Sequence, residues 1–103
     1  MGDLARFLYM VRMDVDAAEE ERFNEWYNNE HIPALLKVPG VLGAYRYVSL
    51  EGEPKYIAVY ELERSDVLSS EAWKKAVAAT PRPKEVVTKN AIRNLYQRIY
   101  PKK

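Results

Sequence analysis

The strongest constraint on the fold is the order of six segments with contrasting hydrophobic periods. Four segments place apolar residues at alternate positions, as strands do, and two repeat them at helical spacing. The predicted strands are Leu4–Met13, Val41–Leu50, Tyr56–Leu62 and Ala91–Tyr100, and the predicted helices are Ala17–Glu30 (or His31) and Ser65–Thr80. The order β-α-β-β-α-β predicts an α+β, ferredoxin-like fold with a four-stranded antiparallel sheet and two helices on one face. The length of 103 residues suits a single domain, 1–103.

Local signals refine the ends of these elements. Asp16 is a candidate N-cap for the first helix, and Ser69 or Ser70 for the second. Pro33 disfavours helical geometry at Ile32, which predicts that the first helix kinks or restarts there. The basic segment 81–90, before the last strand, is long enough to form a lid or a dimer contact.

Every predicted strand carries large apolar or aromatic residues on both of its faces. Helices on one side of the sheet can cover only one of these faces, so the other requires a partner. A second copy of the chain related by a two-fold axis is the simplest partner. We therefore expect a homodimer formed through the open face of the sheet.

Composition excludes several classes of function. The absence of cysteine and the presence of one histidine argue against a metal site, and no cofactor motif is present. A net charge of +1 argues against nucleic acid or anionic membrane as a partner. RNA-recognition domains share this strand order, but the third strand lacks their glycines. With no secretion signal or membrane-spanning stretch, a cytoplasmic protein is expected.

His31 is the first candidate for chemistry, because histidine is the side chain that titrates near neutral pH. On an ideal helical wheel, Glu30 falls near the middle of the apolar stripe that contains Trp26 and Tyr27, and His31 falls on its flank. A partly desolvated glutamate beside an imidazole is suited to general acid–base catalysis. The alternative is an ordinary hydrogen-bonded histidine next to a glutamate that turns to solvent.

Aromatic residues form the second signal, since seven of the eight tyrosines lie in predicted strands. Phenols can donate hydrogen bonds to a carbonyl while their rings pack against a flat ligand. Most of these rings are expected in the core or in dimer contacts, because tyrosine favours strands. The candidates for a substrate pocket are Tyr9, Trp26, Tyr27, Tyr45, Tyr60 and Trp73. Arg46 could bind a carboxylate, although a strand arginine is more often solvated or ion-paired.

The stretch from Trp26-Tyr27 through Glu30-His31-Ile32-Pro33 to Val38-Pro39-Gly40 resembles small bacterial proteins of the dimeric α+β barrel superfamily, among them relatives of the EthD-like proteins. The resemblance implies two ferredoxin-like protomers packed sheet to sheet, each with a pocket between helices and sheet. It also implies a helix-borne histidine like His31. The sequence does not closely follow the haem-degrading or quinol-oxidising members, and superfamily members share a fold but not a reaction.

Two functions follow as hypotheses. The first is a cofactor-free enzyme that isomerises, cyclises or dehydrates a small aromatic, lactone or polyketide-like molecule; a cofactor-independent monooxygenase is a related possibility. In this hypothesis His31, helped by Glu30, moves the proton, and Tyr9, Tyr45 or Tyr60 orients the substrate. The second is a non-catalytic dimer that binds such a molecule as an accessory to a catabolic pathway.

Overall fold

The computed structural model describes residues 4–102, whose four strands form one antiparallel sheet with helices on one face. The strands are β1 (Phe7–Val15), β2 (Val41–Val48), β3 (Tyr56–Leu62) and β4 (Thr88–Gln97), and the α-helices are α1 (Glu20–Trp26), α2 (Ile32–Leu36) and α3 (Glu71–Ala79). The order across the sheet is β2-β3-β1-β4. This is the predicted ferredoxin-like arrangement. The ends of the predicted domain, residues 1–3 and 103, lie outside the described residues.

The two central strands place alternate side chains on the helix-covered face, where they form the core. Tyr9 lies opposite Tyr60, and Val11 lies opposite Ala58 in the next aligned pair on that face. Because side chains alternate across a strand, this register sends one set of residues under the helices. The helices complete the core with buried side chains, notably Phe23, Trp26, Tyr27, Leu35 and Trp73.

The first helical region is continuous, but its hydrogen bonding changes halfway along. A 3₁₀ turn (Ala17–Glu19) leads into α1, and Tyr27–His31 forms a π-helical turn before α2. In that turn the Ile32 amide donates to the Tyr27 carbonyl, five residues earlier. Pro33 has no N–H for an α-helical bond, which favours the wider turn. The predicted restart at Pro33 is confirmed, because a separate helix, α2, begins here, although Ile32 itself keeps helical φ and ψ angles (−59° and −47°).

The helix starts follow side-chain hydrogen bonding. Ser70 caps α3, where its hydroxyl oxygen accepts a bond from the Trp73 amide at 3.2 Å, as one of the two predicted choices. Asp16 precedes the first turn, but its side chain makes no capping bond. Its carboxylate instead contacts the Lys89 ammonium at 2.7 Å, because β4 passes close to this turn. The capping prediction for Asp16 is therefore wrong.

The first and last strands are shifted from their predicted bounds by a bulge. The pairing of β1 with β4 changes register between Arg12 and Asp14, and Asn90 has a φ of 54° beside it. The extra residue interrupts the alternation that the sequence pattern depends on. As a result β1 continues to Val15, and β4 begins at Thr88 instead of Ala91.

No helix within residues 4–102 covers the second face of the sheet, which we call the open face. Its apolar residues are Leu8, Met10, Tyr45, Tyr47, Ile57, Val59, Ile92 and Tyr96. Tyr45 is 49% exposed and Tyr47 is 60% exposed, which is unusual for two neighbouring aromatic side chains. Among residues 4–102, no helix is long and apolar enough to cross a membrane.

Candidate functional site

A cavity of about 200 Å³ lies between the helices and the covered face of the sheet, with His31 in its wall. We call it the His31 cavity. Its lining residues come from β1, α1, the π turn, α3, the segment before β4, and β4 itself: Tyr9, Val11, Met13, Trp26, Tyr27, His31, Trp73, Val77, Arg82 and Arg93. Five of the predicted site residues therefore meet here. None of the lining residues is a carboxylic acid, and two are arginines.

The π turn positions His31 against the aromatic side chains. Its ring stacks on Trp26 with centroids 4.6 Å apart and meets the edge of Tyr27 at 5.2 Å. In a π turn, residue i+5 takes the place above residue i that i+4 has in an α-helix. His31 is therefore brought over Trp26, and Glu30 turns outward.

Glu30 is exposed to solvent, so the predicted desolvation of this glutamate is wrong. The prediction assumed α-helical spacing throughout, and the wider turn moves Glu30 off the apolar stripe. His31 has Thr80 as its hydrogen-bonding partner instead. Its Nδ1 lies 2.9 Å from the Thr80 hydroxyl oxygen.

The bond to Thr80 also fixes which imidazole nitrogen carries the proton. The Thr80 hydroxyl donates its own hydrogen to the Ala76 carbonyl at 3.0 Å. It therefore accepts from His31, whose Nδ1 carries the hydrogen and whose Nε2 keeps the lone pair. Burial lowers the pKa of His31 from 6.5 to about 4, and no neighbouring carboxylate opposes this. His31 is thus neutral at pH 7.

Three phenols, those of Tyr9, Tyr27 and Tyr60, lie in the same region and can act as hydrogen-bond donors. Tyr9, Tyr60 and Trp73 pack in a triangle with ring centroids 5.6 to 5.8 Å apart. Tyr60 lies behind the cavity wall and donates its hydroxyl to the Tyr27 hydroxyl at 3.3 Å. Burial raises the pKa of Tyr9, Tyr27 and Tyr60, so all three stay protonated at neutral pH. The Tyr27 hydrogen is thereby left to donate to another acceptor.

Tyr45 does not join this group. It pairs with Val59 on the open face, and its hydroxyl donates to Glu61 at 3.3 Å. Because Ala44 and Arg46 have the opposite parity on β2, they take the covered face and Tyr45 cannot. The prediction that Tyr45 lines the pocket is wrong for this reason.

Three polar residues of the site were not predicted: Thr80, Arg82 and Arg93. Arg93 lies opposite Val11 across β1 and β4 and shares its face, which the parity of β4 alone does not assign because both of its parities carry apolar residues. Arg82 donates to the Val86 carbonyl at 3.1 Å and to the Thr88 hydroxyl at 3.2 Å. These bonds join Arg82 to residues 86 and 88 and so stabilise the segment before β4.

One buried donor at this site has no acceptor. The Trp26 indole N–H is buried, and no hydrogen-bond partner is found for it among residues 4–102. A buried unpaired donor costs on the order of 1 to 3 kcal/mol. Within the same described range, no cluster of three or more acidic or histidine side chains could hold a metal ion.

Comparison with solved structures shows which class of fold contains this site. The haem-degrading protein MhuD of Mycobacterium tuberculosis, with two haems bound in its active site, superposes with a TM-score of 0.71 at 20% identity over 90% of this chain and 95% of that chain. An arginine-to-serine variant of MhuD, with two manganese protoporphyrin IX molecules per active site, matches with the same score and identity over 90% and 94%. A Shewanella loihica PV-4 protein with a proposed monooxygenase activity matches at 0.71 and 19% identity over 95% and 98%.

The chain thus has the α+β fold of these proteins, with a four-stranded antiparallel sheet and helices on one face. By sequence, residues 6–82 match the model of DUF4286, a domain of unknown function, and the chain belongs to that family. Among proteins of curated function, none matches in sequence. The narrower likeness to EthD-like proteins is not confirmed by these matches.

Proposed function

We propose that this chain binds a small planar molecule in the His31 cavity and moves a proton on it. The observation that carries the proposal is the state of His31: neutral, tied at Nδ1 to Thr80, and set in a cavity wall of aromatic rings with two arginines. A molecule with a hydrogen next to a carbonyl would lose that proton to Nε2. Isomerisation, cyclisation and dehydration all begin with such a step.

The surrounding side chains suit the charges that this step creates. Proton transfer to Nε2 leaves an imidazolium and an enolate, and the guanidinium of Arg93 or Arg82 would stabilise the enolate. The Tyr27 hydroxyl would donate to the same oxygen. An imidazole with a pKa of about 4 is a weak base in the free cavity. An anion forming beside it raises its proton affinity, so the base strengthens as the proton moves.

The size of the cavity limits the substrate. An apolar cavity of about 150 Å³ holds benzene, so one of about 200 Å³ accommodates a single ring or a small lactone. A haem or a fused polyketide would extend beyond this cavity, because pockets for drug-sized ligands begin at about 300 Å³. We therefore assign no step to a haem and favour the single-ring members of the predicted substrate classes.

Hydrogen exchange in heavy water tests the proton transfer without knowledge of the full reaction. A β,γ-unsaturated γ-lactone is incubated with the protein in D₂O, and deuterium uptake next to its carbonyl is followed by mass spectrometry. The protein should accelerate uptake, and His31→Gln should slow it at least about a hundredfold. Glu30→Gln is the matched control, because Glu30 is exposed beside His31 and should leave the rate unchanged. Equal rates for wild type and His31→Gln would refute the catalytic role.

A second candidate function is binding without catalysis, as an accessory in a catabolic pathway. The low pKa of His31 favours it, because a neutral imidazole held by Thr80 is also a good hydrogen-bond acceptor for a ligand. In that case the single imidazole resonance would shift when the lactone binds, while deuterium uptake would match the protein-free rate.

We also propose that two copies associate through the open face. The support is its exposed apolar area, centred on the Met10 and Val59 pair of the two middle strands. Burial of this surface would add the hydrophobic stabilisation that a short chain needs. The proposed partners are thus a second copy and a small apolar or aromatic molecule.

A further inference from the structure

We infer that the chain has a second ligand site, a groove that binds a carboxylate at Arg46, separate from the His31 cavity. The groove lies between α1, the π turn and β2 and has a volume of about 470 Å³. Its polar lining consists of Asn24, Asn28, Arg46, Lys55 and Tyr56, and we call it the Arg46 groove. It shares none of these residues with the His31 cavity.

Aromatic rings hold the Arg46 guanidinium in place. Its central carbon lies 4.4 Å from the Tyr27 ring centroid, 5.3 Å from that of Phe23 and 5.5 Å from that of Tyr56. These contacts stabilise the cation and fix its plane. A guanidinium that is already ordered loses little entropy when it binds a ligand, and this preorganisation raises affinity.

Most of the hydrogen-bonding capacity of Arg46 remains open. Its Nη1 donates to the Asn28 side-chain oxygen at 2.8 Å, and this is its one side-chain hydrogen bond among residues 4–102. Within that range no carboxylate lies within 4.0 Å of it, although six other ion pairs are formed by lysines and arginines. Partial burial lowers the pKa of Arg46, but the side chain remains charged at neutral pH. A half-buried cation without a counter-ion favours an anion in the adjoining groove.

The local charge indicates a monoanion. Lys55 is neutralised by Glu20, at 2.7 Å, and Glu20 also accepts a bond from the Tyr56 hydroxyl. One uncompensated positive charge is left, that of Arg46. Its planar fork of N–H groups matches a carboxylate through two parallel bonds. Because Asn28 turns its oxygen toward Arg46, its amide N–H groups are free to donate alongside.

The apolar rim of the groove specifies the rest of the ligand. Val48, which has the same parity on β2 as Arg46, lines its outer side, and its side chain is 50% exposed. A carboxylate that carries a ring or a short hydrocarbon chain would cover this surface while its charged end meets Arg46. The ligand class is thus an aromatic or aliphatic monocarboxylate.

Benzoate, with benzamide as its uncharged counterpart, tests the site by ¹⁵N NMR of the full chain. Benzoate should shift the Arg46 Nε–H and Asn28 NH₂ resonances to saturation, and benzamide should not. Asn28→Asp places a carboxylate beside Arg46 at an exposed position, so it should weaken benzoate binding at least about tenfold without loss of fold. Arg46→Lys, which keeps the charge but loses the planar fork, should also weaken it.

Two controls separate this site from other arginines and from the proposed function. Arg64→Gln removes the same charge at an exposed position beyond the end of β3 and should bind benzoate as wild type does. His31→Gln alters the other cavity and should leave the shifts at Arg46 unchanged. The proposal is overturned if benzoate fails to shift the two side chains, if Asn28→Asp binds it with unchanged affinity, or if inorganic phosphate binds there and benzoate does not.

Discussion

Acid should weaken the fold through His31 well before the carboxylates are protonated. Burial places the pKa of His31 at about 4 in the folded chain, against an ordinary value of 6.5 when unfolded. Between pH 6.5 and pH 4 the imidazole is protonated in the unfolded chain but not in the folded chain. The free energy of unfolding is therefore highest above pH 6.5, as far as His31 is concerned, and falls as the pH drops toward 4.

The size of this effect follows from the shift. With a pKa of 6.5 in the unfolded chain and about 4 in the folded chain, the free energy of unfolding at pH 5 is lower than at neutral pH by about 2 kcal/mol. Partial exposure of the ring reduces this loss to about 1 kcal/mol. Urea unfolding, followed by tryptophan fluorescence at pH 7 and pH 5, measures it. Wild type should lose about 1 kcal/mol more than His31→Gln over that interval.

Comparison of these two proteins isolates His31 from other groups. Hydrogen bonds and ion pairs lower the pKa values of Asp14 and Glu20, whose loss of stabilisation at low pH is common to both proteins and cancels. The chain has a single histidine, so NMR titration of the imidazole gives the folded pKa directly. A pKa near 6.5, or equal acid sensitivity in both proteins, would refute the reasoning.

Three further outcomes are expected. Thr80→Val should remove the acceptor for His31 Nδ1–H, cost about 1 to 2 kcal/mol of stability and shift the neutral imidazole toward the Nε2–H tautomer; unchanged ¹⁵N shifts would contradict the assigned hydrogen bond. Phe23→Ala should cost about 3 to 5 kcal/mol, because this fully buried ring packs against three other aromatic rings, and a thermal melt displaced by only a few degrees would argue against that packing. Val59→Glu places a charge at the centre of the open face and should convert the proposed dimer to a monomer in light scattering, whereas a wild-type protein that is already monomeric would rule out the dimer.

The sheet was predictable because its central strands alternate strictly. β3 has the predicted bounds, Tyr56–Leu62, since all of its residues pair with β1 in unbroken register, although its pairing with β2 shifts between Val41 and Gly43. β4 is an edge strand next to a bulge, and its bounds moved by three residues at each end, from Ala91–Tyr100 to Thr88–Gln97. Sequence periodicity predicts an element well where the ladder is regular and poorly where one extra residue breaks it.

The candidate site was predictable in its aromatic part and not in its polar part. Tyr9 belongs to the alternating apolar pattern of a strand, and Trp26 and Trp73 belong to the apolar stripes of helices, so the sequence pattern identified all three. They line the same cavity. The partner of His31 depends on contact between two helical segments 49 residues apart, which no local pattern contains. Arg93 was missed because assigning a face to β4 requires its register with β1.

The wider turn between Trp26 and His31 also affects how the chain is compared with its relatives. His31 occupies the place over Trp26 that a residue four positions along would take in an ordinary α-helix. In a homologue whose helix has one residue fewer here, the counterpart of His31 lies four positions after the tryptophan's counterpart. An ungapped alignment would set that residue against Glu30, so the equivalent histidine is found only when a one-residue gap is placed within this turn.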